Sequence, residues 1–356
     1  MISFLTAFID IYQKKIFMEC EANFVCLINL SMNLKEYDIR KNEISEWIPY
    51  LGLMDPLIIE NKDNSFMALI TYDSNKIRHK EDLNNYLKSI PSGVSIWIEK
   101  SSLSLNTICY IVWNPEYDLK DNIKNIPFKI KSNKEPLQLF KEFINIFIKH
   151  LQASFLDVDF IKQDDILNKL YQILTLKSSI LIPNEPLYLD CYLTQDFKYK
   201  KHKNLLKIDN NYLNCIRLLG YPNFFISDIL NYIKNSNIKY RYSRRIFFID
   251  KKTTIDIENN YFKRWCTSHK SFLNIFKIKD SACYIENTLV IYNTDLSILN
   301  KQVKDLDKYI NSKGIASISD NYNIGDVWFG TIPSMFRSGL FPCLFDCKNL
   351  SYNLII

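Results

Sequence analysis

Glycine is scarce in this chain, with seven in 356 residues against the roughly 7% usual for globular proteins. A phosphate-binding loop needs glycines at close spacing, so that backbone N–H groups wrap the phosphates before a Lys and a Ser or Thr. Gly52, Gly93, Gly220, Gly314, Gly325, Gly330 and Gly339 are scattered, and none precedes a Lys-Ser or Lys-Thr pair. Ser312-Lys313-Gly314 has the order reversed and reads as a helix C-cap. No autonomous ATPase and no cofactor are therefore expected. Histidine is rarer still (His79, His150, His202, His269), and none stands in a nucleophile signature. Nine cysteines, an odd number, are irregularly spaced with no secretory signal before them, which fits a reducing compartment. Cys343-x-x-x-Cys347 lacks the second pair or nearby histidine of a zinc site, and no metal is expected. Asp157-x-Asp159 is a lone acidic pair, better read as a helix cap or solvated loop than as a metal-dependent sugar-transfer site. Long apolar runs are missing too. Met1 to Ile9 is interrupted by Asp10 and Lys14-Lys15, far short of the roughly 20 residues that span a bilayer, and it has no cleavage site.

What is present is a large apolar fraction, 47%, beside 24% charged residues, enough for a substantial core and, at roughly 100–200 residues per domain, two units. Asn, Ile, Lys, Tyr and Phe are heavily used, the bias of an AT-rich genome. The net charge of +6, from 45 basic and 39 acidic residues, is therefore weak support for a nucleic-acid partner. The clusters Lys198-Tyr199-Lys200-Lys201-His202-Lys203 and Lys129-Ile130-Lys131 read as solvated loops, with anionic headgroups or an acidic partner as the alternative.

Residues 1–44 form an N-terminal extension, with a candidate strand at Phe24–Leu30. A first subdomain, 45–182, opens with the apolar entry segment Trp47–Leu53. Strands at Leu57–Ile59 and Ser65–Tyr72 flank the turn-rich Asn61-Lys62-Asp63-Asn64. A helix over Asp82–Ile90, strands Val94–Glu99 and Thr107–Trp113, and helices Pro136–Leu151 and Asp165–Leu174 follow. The second subdomain, 183–356, reads as strands Leu187–Leu193 and Tyr212–Leu219, helix Phe224–Lys234, strand Ile238–Ile249 and helix Thr253–Phe272. Strand Cys283–Tyr292, helix Leu296–Asn311, strand Ile315–Ile318 and the short helix Ile324–Thr331 complete it. The class expected is α+β, mixed sheets covered by helices, with a ferredoxin-like arrangement for the last elements.

Several segments, in order, resemble the CagE/TrbE/VirB family of type IV secretion and conjugation ATPases. Lys239 to Asp250 (KYRYSRRIFFID) is similar to the family's aromatic-Arg-Trp-Ser-Thr-Arg-Phe strand, and Tyr261-Phe262-Lys263-Arg264-Trp265 to its basic helix. Trp328-Phe329-Gly330-Thr331-Ile332-Pro333 resembles a Trp-Leu-Gly-Ser-Leu-Pro signature, and Lys348-Asn349-Leu350 the Arg-Asn-Leu shortly before the nucleotide-binding domain. Pro49-Tyr50-Leu51 and Asn61–Ser65 resemble the family's opening. The chain departs from the pattern at Ser334-Met335, where members carry Gly-Asn, and at Asp346-Cys347. No phosphate loop follows before Ile356.

The resemblance implies a non-catalytic N-terminal module, cytoplasmic and peripheral to the bacterial inner membrane. It would dock to inner-membrane components of a type IV secretion system or to motor-containing homologous subunits, and self-association is compatible with it. The alternative is one portion of a split or truncated ATPase that uses ATP only through a motor domain on another chain. Candidate interface or inter-domain residues are Arg241, Arg245, Arg264, Trp265 and Trp328. Strand alternation places Arg241, Ser243 and Arg245 opposite Tyr240, Tyr242 and Arg244. Two guanidiniums on one face suit carboxylates or phosphates, leaving three uses open: an internal salt bridge, a protein interface, or a phosphate.

Overall fold

The computed structural model describes residues 48–74, 78–91, 93–114, 135–161, 163–177, 189–194, 197–202, 205–219, 226–249, 282–319, 323–335, 343–346 and 354. The extension 1–44, the helix expected at Thr253–Phe272, and with it Arg264 and Trp265, lie outside them.

β-branched and aromatic runs with period-two alternation supply the strands: β1 (Tyr50–Asp55), β2 (Ile58–Asn61), β3 (Phe66–Asp73), β4 (Val94–Ser101), β5 (Ser104–Trp113), β6 (Leu156–Phe160), β7 (Tyr199–His202), β8 (Leu205–Ile208), β9 (Asn211–Leu219), β10 (Tyr240–Ile249), β11 (Ala282–Asn293), β12 (Ala316–Ser319) and β13 (Cys343–Asp346). The helices are α1 (Lys80–Lys88), α2 (Pro136–Ser154), α3 (Gln163–Thr175), α4 (Leu189–Thr194), α5 (Ile226–Asn235), α6 (Leu296–Ser312) and α7 (Ile324–Gly330). In α2, Pro136 occupies the first turn, where its missing N–H costs nothing, and Phe140, Ile144, Phe147, Ile148 and Leu151 form the buried stripe. Asp295 caps α6 by accepting from the N–H groups of Ser297 and Ile298. Gly314, at φ 75°, turns the chain out of α6.

The strands form one 13-stranded sheet with the path β1-β2-β3-β5-β4-β10-β11-β9-β8-β7, while β6 pairs β3, β12 pairs β9 and β13 pairs β11. The α+β class stands. Instead of separate mixed sheets, every described ladder is antiparallel, and the β4–β10 ladder carries the sheet across the 182/183 boundary.

The path hides a repeat. Among the described elements, β3 to β6 run strand-helix-strand-strand-helix-strand, and β9 to β12 do so again. In both units the second and third strands pair, the third pairs the first, and the first pairs the fourth, which is the ferredoxin-like arrangement. Each unit is preceded by a two-strand extension, β1-β2 or β7-β8, and followed by a helix, α3 or α7. The units join through their second strands, β4 against β10, so the strand order has the same plan read from either end. The ferredoxin-like plan expected for the second unit thus describes both.

α1, α2, α5 and α6 cover one face, over a core that includes Ile70, Ile96, Ile111, Ile216, Tyr242 and Ile291. The other face, with Trp97, Tyr110, Cys215 and Tyr292 buried on it, meets α3, α4 and α7.

Four local readings change. The Lys198–Lys203 cluster, read as a solvated loop, contains strand β7 (Tyr199–His202), whose form is set by its ladder to β8 rather than by any apolar period. Leu187–Leu193, expected as a strand, is helical from Leu189 to Thr194: a short apolar run has no period long enough to decide, and here it packs against β1. Trp47–Leu53 contributes strand β1. Asp157 and Asp159, read as a cap or loop, belong to strand β6.

Candidate functional site

β10 lies between β4 and β11, so its side chains are enclosed by the sheet and by whatever covers each face. As the alternation required, Tyr240, Tyr242, Ile246 and Phe248 enter the main core, and Arg241, Ser243 and Arg245 take the other face. Arg241 is 2% exposed. Its Nη1 donates to Glu99 Oε2 on β4 at 3.4 Å and to the carbonyl of Thr331 at 3.5 Å, while Nη2 donates to Thr331 Oγ1. Ser243 Oγ donates to the same carbonyl at 3.4 Å. Burial pushes the Glu99 carboxyl above its ordinary range, and the Arg241 guanidinium opposes that push.

Thr331 begins a strap, residues 331–335, laid over the β4–β10 seam. Tyr50 OH donates to the Pro333 carbonyl at 3.0 Å. Asn61 Nδ2 donates to Ser334 Oγ at 3.0 Å, and Ser334 Oγ reaches Met67 Sδ at 3.6 Å. Ser334 stands at φ 67°, a left-handed backbone that a non-glycine residue adopts at a cost. Its hydroxyl is buried among these partners, and they hold the strain. The strap therefore touches the extension strands β1 and β2, β3 of the first unit and β10 of the second.

Just before it, α7 buries Trp328 completely. The indole stacks on Phe197 with ring centroids 6.0 Å apart and meets Phe329 edge-on at 4.8 Å; Tyr199 of β7 lies 5.7 Å from Phe329. A Cβ on Gly325 would come within 2.7 Å of Tyr199 Oη, so any other residue there would have to displace the Tyr199 hydroxyl. Trp328 is a packing anchor in this arrangement.

Arg245 sits two residues beyond Ser243 on the same face. It stands opposite Glu286 in the β10–β11 ladder, with Nη1 3.5 Å from Glu286 Oε2 and the guanidinium 5.0 Å from the centroid of Trp97. Burial lowers the Arg245 pKa, with Glu286 opposing, and burial raises that of Glu286, with Arg245 opposing. Of the three uses open to the paired arginines, both make an internal salt bridge. Arg244, on the core face, is fully buried and donates through Nε to Asn287 Oδ1 at 2.7 Å.

The structure gathers Arg241, Arg245 and Trp328 around one seam. Local sequence missed Glu99, Thr331, Asn61 and Tyr50. Glu99 had a readable signal, a carboxylate at an inward position of an apolar strand. Asn61 and Ser334 stand in or beside family-like segments, but they are 273 residues apart and nothing local signalled that they pair. Among the described residues, no group of three or more His, Cys, Asp or Glu side chains is placed to hold a metal ion, and no helix is long and apolar enough to cross a membrane. The groups named above hold one segment of the chain against another.

No family model matches the chain. A protein of Sinorhizobium fredii (strain NBRC 101917 / NGR234), named as the second portion of a probable conjugal transfer protein TrbE, is 19% identical to it over 199 residues, which are 48% of this chain and 30% of that protein. The chain thus spans less than a third of the relative's length.

Proposed function

We propose that this protein serves conjugation or type IV secretion as a non-catalytic module. It docks at the inner membrane to components of the machine or to motor-containing homologous subunits, and ATP enters its work only through a motor domain on another chain. The observation that carries this reading is the similarity to a conjugal transfer protein over nearly half the chain, together with ordered family-like segments from Pro49-Tyr50-Leu51 to Lys348-Asn349-Leu350. The absence from the sequence of a glycine-rich Lys-Ser or Lys-Thr loop supports the non-catalytic aspect. Internal pairing of Arg241 and Arg245 is in keeping with a protein-binding module whose guanidiniums serve its own fold.

The relative's name describes that protein as a second portion, which favours one further reading: the chain is one piece of a split ATPase whose P-loop piece is a separate polypeptide. One experiment addresses both. The full chain, tagged in its native host, is cross-linked and recovered, and its partners are identified by mass spectrometry. ATP binding is then titrated by calorimetry with and without the recovered partner. Recovery of inner-membrane or motor-containing partners, with no ATP heat from the chain alone, is the expected result. ATP hydrolysis restored only by a P-loop partner selects the split enzyme. Recovery of no such partner overturns both.

A further inference from the structure

The β7–β8 hairpin ends the sheet path, and it concentrates charge. The ten residues from Tyr199 to Ile208 hold four lysines and no carboxylate, against a net charge of +6 for all 356 residues. Compositional bias does not account for this, because the equivalent extension at the other end, Tyr50–Asn61, holds Asp55 and Glu60 and no lysine or arginine. The register sorts the lysines by face. Tyr199 and Lys201 turn toward α7, where a Cβ on Gly325 would meet both side chains. Lys200 lies on the opposite face, directly across the ladder from Lys207. Lys207 Nζ stands 4.7 Å from the centroid of the Tyr212 ring, and Lys198 and Lys200 are exposed. Like charges at directly opposed positions repel, and the protein supplies no counterion here. Asp209, the residue after β8, is engaged by Lys177 Nζ at 2.8 Å and accepts from the backbone N–H of Lys198 at 3.2 Å. Among the described residues, none of the Lys198, Lys200 and Lys207 ammoniums forms an ion pair.

We propose that this lysine face of the β7–β8 hairpin is a membrane-contact surface that takes the anionic headgroups of a lipid bilayer. The occupant follows from the chemistry of the cations. All are lysines, hydrated point charges on flexible stems, with none of the planar guanidiniums that grip one carboxylate or phosphate in a fixed geometry. Such an array answers a diffuse layer of negative charge, near which each lysine contributes about a fivefold gain in affinity. The place of the hairpin at the end of the sheet path, with Lys198 and Lys200 exposed, lets the ammoniums come within the roughly 10 Å over which that field survives screening. This rests on the inner-membrane location proposed above and adds a contact with lipid itself, made without a partner protein.

The purified full chain is sedimented with vesicles of phosphatidylcholine containing about 30% phosphatidylglycerol, and with vesicles of phosphatidylcholine alone. The expected result is binding to the anionic vesicles only, lost at about 0.5 M salt and weakened about 25-fold in K200Q/K207Q, from two lysines at about fivefold each. The thermal midpoint of that variant should be no lower than that of the wild type, since the substitution relieves the opposed charges. K200Q alone, which leaves the Lys207–Tyr212 contact in place, gives a second reading of about fivefold. No binding to either vesicle, equal binding to both, or equal binding by wild type and K200Q/K207Q overturns the proposal. Lysine-dependent capture of an acidic protein or of a second copy, by a chain that binds no vesicle, also overturns it. Because the vesicles contain no protein, a failure here is distinct from a failure to recover machine components by cross-linking.

Discussion

Thr331 occupies a position where one residue answers two donors from Arg241 and one from Ser243, and its hydroxyl also donates to the Trp328 carbonyl at 2.6 Å. Thr331→Val keeps the volume but removes the acceptor from a buried guanidinium, which costs about 1–3 kcal/mol; chemical denaturation should register that loss with an unchanged denaturant slope. Trp328→Ala empties the aromatic pocket shared with Phe197 and Phe329 and should cost about 3–5 kcal/mol, again by denaturation. Glu99 gives a pH signature. Its folded pKa is raised by burial, so over the interval above the ordinary carboxylate value of about 4.3 the folded state holds more proton than the unfolded one. Its contribution to stability is accordingly greatest at low pH and falls as pH rises through the raised pKa. In Glu99→Gln that fall disappears, so the difference in stability between variant and wild type should grow in the variant's favour from pH 4 to pH 7. A pH-independent difference would remove Glu99 as the source.

Among the elements, those with a full period were legible in the sequence. α2 is stamped by its Phe140–Leu151 stripe, and the alternation in β10 correctly sorted Arg241 and Arg245 from Tyr240 and Tyr242. Short elements were read unevenly: β2, β12 and α7 were legible, and others were not. β1, β6, β7 and β8 have four to six residues each, too few to carry a period, and their strand form comes from ladders to distant partners such as Ile70↔Phe160. The strap was unreadable for another reason: its conformation is fixed by Asn61 and Tyr50, whose side chains are brought to it only by the completed sheet. The cost of that conformation is testable. Ser334→Gly relaxes the positive φ but deletes the hydroxyl, whereas Asn61→Ala keeps the strain and removes its clamp. Asn61→Ala should therefore be the more destabilising of the two by urea titration, and the reverse order would show that the strain at Ser334 is not held through Asn61.

At the scale of the whole molecule, the two ferredoxin-like units share one hydrogen-bonded sheet, with β4, β10 and β11 at its centre and β1 and β7 at the ends of its path. Opening the centre requires parting two full ladders; opening the β7 end requires parting one short one. Native-state hydrogen exchange should rank amides accordingly, with those of β10 and β4 exchanging last and those of β7 early. Cooperative exchange of everything from β7 to β12 ahead of β1 to β6 would instead identify the β4–β10 seam as a weak joint.

The repeated plan also bears on where the polypeptide tolerates a cut. A break between residues 177 and 189 falls after one complete unit with its trailing helix and before the two-strand extension of the next, so it severs none of the described strands or helices. Each half would still carry one edge of the central ladder, β4 or β10, together with its share of the strap's anchors. Two separately made halves should consequently reassociate on mixing, as the subunits of a heterodimer do.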